Sequence, residues 1–374
     1  MPKELKLNEM SNVSISSIVD TLSKSYIKLI KDKNDLNLFP SVMLWGQPGV
    51  GKSESVREIA AEIEKSTKKK VYITDVRLLL FNPIDLRGIP VSDIEDGEKV
   101  ARWLRPQIFK MDPSDDVINI LFLDEISAAP QSVQAAAYQI ALDKKVGEHA
   151  LPKNCIVIAA GNRITDKSVA YKMPKALANR LLHFDVSVNF KSWKEWAMKN
   201  GVNPLVLGFL SYRQDLLNTF DSTDDELSFA TPRSWVMVSN ILNNITPSID
   251  SAYQLISGLV GRGTANEFRV WNKIYSELPN IEDIFNGKFP TMPSEPSRIF
   301  VLSCAMIQYA KTHINELNRI ANSIYYALKF PKDFSSILLK EYKELDQDLF
   351  KKLATIPEFR RMISENASLL NGKV

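Results

Sequence analysis

Five short apolar runs between residues 41 and 187 constrain the fold most: SVMLWG, KVYITDV, NILFLDE, CIVIAAG and LLHFDV, alternating with stretches of helical spacing. Runs this short, nearly continuous in apolar residues and bounded by turn or polar residues, read as strands buried on both faces. Strands alternating with helices imply a parallel sheet with helices on its faces. Beyond Asn189 such runs largely vanish. KSWKEWAMKN, NPLVLGFLSYRQDLL, PRSWVMVSNILNN, IDSAYQLISGLV and NRIANSIYYALK instead carry apolar residues three and four apart, the pattern of amphipathic helices. A proline-rich interval, LPNIEDIFNGKFPTMPSEPSR, separates the first of these helices from a final helical segment beginning near Ile299. The expected organisation is an α/β domain over residues 1–188, an all-α domain over 189–298 and a C-terminal helical segment over 299–374.

Length and charge narrow the function classes. A chain of 374 residues has room for two or three domains. Its formal net charge of +3 gives no general pull towards nucleic acid or a membrane, so any such partner needs a local patch. Cys155 and Cys304 are too few for a disulfide framework, and His149, His183 and His313 are scattered. No run approaches the roughly 20 apolar residues of a membrane helix. The expectation is a soluble, cytoplasmic protein with no membrane partner.

The sharpest chemical signal is GQPGVGKSES, directly behind the first apolar run. It satisfies G-x-x-x-x-G-K-[ST] through Gly46, Gly51, Lys52 and Ser53, with Gln47, Pro48, Gly49 and Val50 between the fixed positions and Glu54 after them. Glycines let backbone N–H groups turn inward on phosphates, Lys52 reaches the β and γ phosphates, and Ser53 coordinates Mg²⁺. The helix that follows points the positive end of its dipole at the same anion. A second signal is INILFLDE, an apolar strand ending in two carboxylates. Beside the phosphate loop, such a strand places Asp124 near the metal and leaves Glu125 to polarise a water. ATP and Mg²⁺ are therefore the expected cofactors, and the absence of an Asn-Lys-x-Asp segment argues against a GTPase.

Together these motifs resemble the MoxR-type AAA+ ATPases, in the group related to the dynein motor modules. The resemblance makes residues 46–53 Walker A and LFLDE at 121–125 Walker B. It makes Asn162 in VIAAGNR the sensor 1 residue that positions the attacking water. Arg180 in MPKALANRLLHFDV becomes the arginine finger offered to a neighbouring subunit, and Arg233 in ATPRSW the sensor 2 residue of a helical lid. Local grammar leaves alternatives open. Asn162 follows a glycine and fits turn chemistry, and Arg180 fits a helix-terminal cation. For Arg233, Thr231 reads as N-cap and Pro232 as first helical residue, so the cation opposes the helix dipole. Arg163 stands as a second candidate charge beside Asn162.

FNPIDLRGIP with KVARWLRPQIF matches an insertion that the family directs towards a pore or substrate; an ordinary surface hairpin is the alternative. Arg87, Arg102 and Arg105 in it face either a neighbour, a polyanion or solvent. KKVGEHALP fits a hairpin ahead of sensor 1, with His149 expected as an exposed turn residue. GLVGRGTANEF, residues 258–268, resembles a lid segment of bacterial and phage-type relatives. The resemblance implies a homo-oligomeric ring, a hexamer, that remodels a protein partner, in some members one carrying a von Willebrand factor A domain. Two other readings stay open: a nucleic-acid motor or ATPase subunit of a defence or mobile-element assembly, and a nucleotide-gated scaffold with slow turnover.

Overall fold

A computed structural model describes residues 12–166, 171, 173 and 175–365. These group into two compact units, one of Met1–Trp193 with Asp221–Asp225 and one of Lys194–Phe220 with Glu226–Val374.

The first unit is built on a parallel six-stranded sheet. In chain order its elements are β1 (Asn12–Ser14), α1 (Ile15–Lys31), β2 (Val42–Trp45), α2 (Lys52–Thr67), β3 (Lys70–Arg77), α3 (Pro83–Arg87), β4 (Ile89–Glu95), β5 (Glu98–Leu104), β6 (Val117–Asp124), α4 (Gln131–Asp143), β7 (Lys145–Val146), β8 (His149–Ala150), β9 (Cys155–Gly161), α5 (Lys175–Ala178) and β10 (Leu182–Ser187). The main sheet runs β1-β10-β2-β9-β6-β3. All five apolar runs are strands of it, and β1 is a sixth. That strand is three residues of Asn-Val-Ser paired only to β10, too short and polar to announce itself as an apolar run.

The continuous apolar character of the central strands has a direct cause: side chains alternate across the pleat and both faces are covered. Met43, Leu121, Leu123, Val157 and Ala159 face one core, closed by Val133, Ala137 and Ile140 of α4. Val42, Leu44, Ile120, Phe122, Ile156 and Ile158 face the other, closed by Ile18 and Leu22 of α1 and by Val56, Ile59 and Ile63 of α2. In the sheet β9 lies between β2, which carries the phosphate loop, and β6, which ends in Asp124. The two loops still converge, because both parallel strands end at the same edge of the sheet.

The segment after β3 is a hairpin, β4 paired antiparallel to β5 from Ile89↔Leu104 to Glu95↔Glu98. Its turn is Asp96-Gly97, with φ of 51° and 84°, the left-handed pair a two-residue hairpin turn needs. Gly88 at its base is obligatory, since a Cβ there would lie 1.9 Å from the Leu104 carbonyl oxygen. Arg102 is tied across the hairpin to Asp93 at 3.0 Å. His149 is not an exposed turn residue: it is half-buried on β8 and its Nε2 donates to the Trp103 carbonyl at 2.8 Å. That bond joins the small β7–β8 hairpin to β5.

The second unit is helical. It holds most of α6 (Phe190–Lys199), then α7 (Pro204–Tyr212), α8 (Pro232–Asn244), α9 (Ile249–Val260), α10 (Arg262–Ser276), α11 (Ile281–Phe285), α12 (Pro296–Thr312), α13 (Leu317–Ala327), α14 (Lys332–Leu345), α15 (Gln347–Leu353) and α16 (Pro357–Glu365). Phe209, Trp235 and Phe268 form an aromatic cluster with ring centroids 5.0 to 5.6 Å apart. Fully buried Trp235 satisfies its indole N–H on the Leu216 carbonyl at 2.8 Å. Gly261, with φ of 84°, turns the chain between α9 and α10, and a Cβ there would meet the Ser228 carbonyl oxygen at 2.8 Å. A second core of Leu302, Met306, Ile324, Leu339 and Tyr342 joins α12, α13 and α14. Among the described residues no helix is long and apolar enough to cross a membrane.

Candidate active site

The site is built where β2, β6 and β9 end. Gly46 follows β2 so tightly against β10 that a Cβ would lie 3.0 Å from the Val186 carbonyl oxygen, and its N–H donates to the Gly161 carbonyl at 3.2 Å. Gly49 and Gly51 have φ of 79° and 108°, which curls the Gln47-Pro48-Gly49-Val50 loop back to start α2 at Lys52. Val50 anchors the loop in the core, 6% exposed. Gly51 is the N-cap and carries no side chain to cap the helix, so the first-turn amides suit an anion rather than a serine or aspartate oxygen.

Lys52, only 9% exposed, arches over this loop. Its Nζ donates to the carbonyls of Gly46 at 2.5 Å and Gln47 at 3.0 Å and to Oδ1 of Asn162 at 3.0 Å. Ser53 Oγ donates to Oδ2 of Asp124 at 3.0 Å. The structure thus brings Lys52, Ser53, Asp124 and Asn162 together from three loops. Glu54 sits on the adjacent turn of α2 with its carboxylate held by Arg57 at 2.8 Å.

Glu125 is exposed and has φ of 58°, a left-handed conformation uncommon for a residue with a side chain. Its N–H donates to Oδ1 of Asp124 at 2.8 Å, and its carbonyl accepts from Ala128 at 3.0 Å. This left-handed residue turns the chain abruptly at the end of β6. Such outliers concentrate at functional sites, at about 1 to 3 kcal/mol each.

The support of this turn was not visible in the sequence. Buried Ser127 accepts the Asn162 N–H on its Oγ at 2.9 Å. Buried Gln134 donates to the carbonyls of Ser127 at 3.1 Å and Ala129 at 3.0 Å. Gly161 makes room for this: a Cβ would lie 2.8 Å from Ser127 Oγ and 2.9 Å from Met43 Cε. Asp75 on β3 is also near Asp124; desolvation first, then the Asp124 charge, raise its carboxyl above the ordinary range, opposed by Arg77 and Arg57.

The arginines divide. Arg163 is committed within the unit: its guanidinium pairs with Asp185 on β10 and donates to the Val186 carbonyl at 3.0 Å. Arg180 is exposed in the turn between α5 and β10. Arg233 is exposed at the start of α8 in the second unit, where Thr231 is the N-cap, accepting from the Ser234 N–H at 3.1 Å, and Pro232 follows. Among the described residues no group of three or more His, Cys, Asp or Glu could hold a metal. The Ser53–Asp124 pair nevertheless suits Mg²⁺, which is commonly held by one or two carboxylates with substrate phosphates and waters.

A parallel sheet with the phosphate loop on its central strand, a carboxylate-ended strand two places away and a helical region following is a P-loop nucleotide-binding architecture. Residues 41–183 match the model of the ATPase family associated with various cellular activities (AAA). The matched stretch runs from the residue before β2 into β10 and contains the Gly46–Ser53 loop, Asp124, Glu125, Asn162 and Arg180. No curated protein sequence matches the chain. Among solved structures, the chain is similar to NtrX from Brucella abortus in complex with ATP, at 13% identity over 88% of this chain and 68% of that one, with a TM-score of 0.36. It is also similar to Orc1 from Aeropyrum pernix in complex with DNA, at 11% identity, 92% and 94% coverage and a TM-score of 0.35. A third similar structure is PCH-2 from C. elegans, at 10% identity, 68% and 67% coverage and a TM-score of 0.35.

Proposed function

We propose that the chain is a Mg²⁺-dependent ATPase of the MoxR-type AAA+ group, which works as a homo-oligomeric ring and remodels a protein partner. The observation that carries the catalytic part is the convergence of Lys52, Ser53, Asp124 and Asn162 beside an exposed Glu125. In this reading the loop amides and Lys52 hold the β and γ phosphates, and Ser53 and Asp124 hold Mg²⁺, which neutralises phosphate charge when bound. Glu125 takes a proton from the attacking water. Asn162 orients that water while its Oδ1 accepts from Lys52. Exposed Arg180 stabilises the transferring phosphoryl group in the next copy, a contribution worth about 10³ to 10⁵ in rate when supplied in trans.

Arg233, in the helical unit, reports the nucleotide state to that unit as sensor 2. The β4–β5 hairpin with its exposed Ile89, Ile94 and Leu104 supplies the partner-facing surface. Arg102 is paired with Asp93, which weakens the case for an arginine-lined path for a polyanion. Phosphate release measured with and without single-stranded and duplex DNA at physiological salt separates the partner classes. The expected result is a rate unchanged by DNA and raised by a protein captured on ATP-bound Glu125→Gln. Strong stimulation by DNA alone would replace the protein-remodelling reading with a nucleic-acid motor.

A further inference from the structure

His183 joins the phosphate-loop strand to the turn that carries Arg180. It is the second residue of β10, half-buried, opposite Met43 of β2. The indole Nε1 of Trp45, the residue directly before Gly46, donates to its Nδ1 at 2.9 Å. On the other side its Nε2 contacts the Ala178 carbonyl oxygen at 2.7 Å.

These two contacts fix the ring's protonation pattern. Indole N–H only donates, so Nδ1 must be a bare acceptor; a carbonyl only accepts, so Nε2 must carry the proton. One neutral tautomer satisfies both. Ala178 closes α5, and its carbonyl also accepts the Leu181 N–H at 3.2 Å, so it is the first residue of the turn Ala178-Asn179-Arg180-Leu181. The carbonyl that shapes the Arg180 turn is therefore held by an imidazole whose other nitrogen is held by the phosphate-loop strand. No other side chain hydrogen bond among those of the described residues ties this carbonyl down. The neighbouring Leu182 N–H donates to the Ser41 carbonyl at 2.9 Å, fixing the register in which His183 reaches Trp45.

We propose that His183 is the positioning residue for Arg180, setting the arginine's approach to the neighbouring copy through the Trp45–His183–Ala178 chain. The proposal rests on the reading that Arg180 acts in trans. Its consequence is directional. A defect at His183 harms the copy that donates the arginine, not the copy that hydrolyses.

Mixed assemblies of full-length chains test this. Glu125→Gln copies donate Arg180 but do not hydrolyse; Arg180→Ala copies hydrolyse only with a donated arginine. An equimolar mixture should recover phosphate release that neither variant shows alone. His183→Ala added to the Glu125→Gln donor should lower the recovered rate about 10- to 100-fold, the scale of a misplacement near 1 Å. Added to the Arg180→Ala copy it should leave the rate within about twofold. His183→Gln in the donor, which can accept from Trp45 and donate to Ala178, should restore the rate, and Trp45→Phe in the donor should give a smaller loss of the same direction. Fluorescent ATP analogue affinity should stay unchanged in all donors, which excludes misfolding. An unchanged recovered rate with the His183→Ala donor, or equal loss on either side, overturns the positioning role alone. No recovery in the parent mixture overturns the trans reading and the proposal with it.

Discussion

Glu125→Gln should bind Mg²⁺–ATP with wild-type affinity and lose turnover by about 10² to 10⁴, the usual contribution of a positioned general base. The geometry makes the separation clean. Glu125 is exposed, and what anchors its turn is backbone: its N–H on Asp124 and its carbonyl on Ala128. Glutamine keeps the size and those backbone bonds, and removes the basicity together with the negative charge. Equilibrium binding and single-turnover phosphate release on the same preparation check it. A variant that hydrolyses at the wild-type rate would remove Glu125 from the chemistry, and one that no longer binds would mean that its carboxylate holds the metal or the loop.

Lys52→Ala should show the opposite split, with binding lost first. The ammonium is buried and held by two loop carbonyls and Asn162, and in the proposed reading it meets the phosphate charge there. Removing one partner of a buried hydrogen-bonded charge pair costs about 2 to 5 kcal/mol, a loss in Kd of roughly 30- to 4,000-fold. The loop carbonyls left behind could also loosen the fold, so Lys52→Met, which keeps the stem, serves as the companion. Titration of a fluorescent ATP analogue into both variants reads the effect, with circular dichroism confirming the fold. Undiminished affinity in Lys52→Met would remove the lysine from the phosphate cradle.

The two kinds of residue differ in how far the sequence exposed them. Strand runs and the glycine loop were legible because their causes are local: burial on both faces makes β6 and β9 continuously apolar, and a left-handed backbone at Gly49 and Gly51 calls for glycine. Asp124 and Glu125 were legible because two carboxylates closing an apolar strand are conspicuous, although the left-handed backbone of Glu125 was not. Ser127, Gln134 and Gly161 were illegible for a common reason. Each acts through a contact that no local pattern announces: Gln134, inside an otherwise apolar helix face, holds the Ser127 and Ala129 carbonyls, Ser127 reaches Asn162 across 35 residues, and Gly161 leaves the room that Ser127 and Met43 fill. In sequence His183 is one of three scattered histidines; only the pairing of β10 with β2 brings it to Trp45. The sixth strand leaves no apolar signal because three residues at a sheet edge need no apolar run.

Arg163 shows what geometry adds to a motif. In sequence it competes with Arg180 for a role towards a neighbour, both being arginines close to a strand end. In the structure its guanidinium is spent on Asp185 and the Val186 carbonyl, whereas Arg180 is exposed. The reading of a shared site therefore rests on Arg180.

Specific ATPase rate as a function of protein concentration tests that central claim most directly. If one copy holds the nucleotide and the next supplies Arg180, the rate per subunit should rise from near zero at low concentration to a plateau. The rise should track assembly measured on the same samples by mass photometry or sedimentation. A rate per subunit that stays constant down to concentrations where only monomers remain would contradict the account.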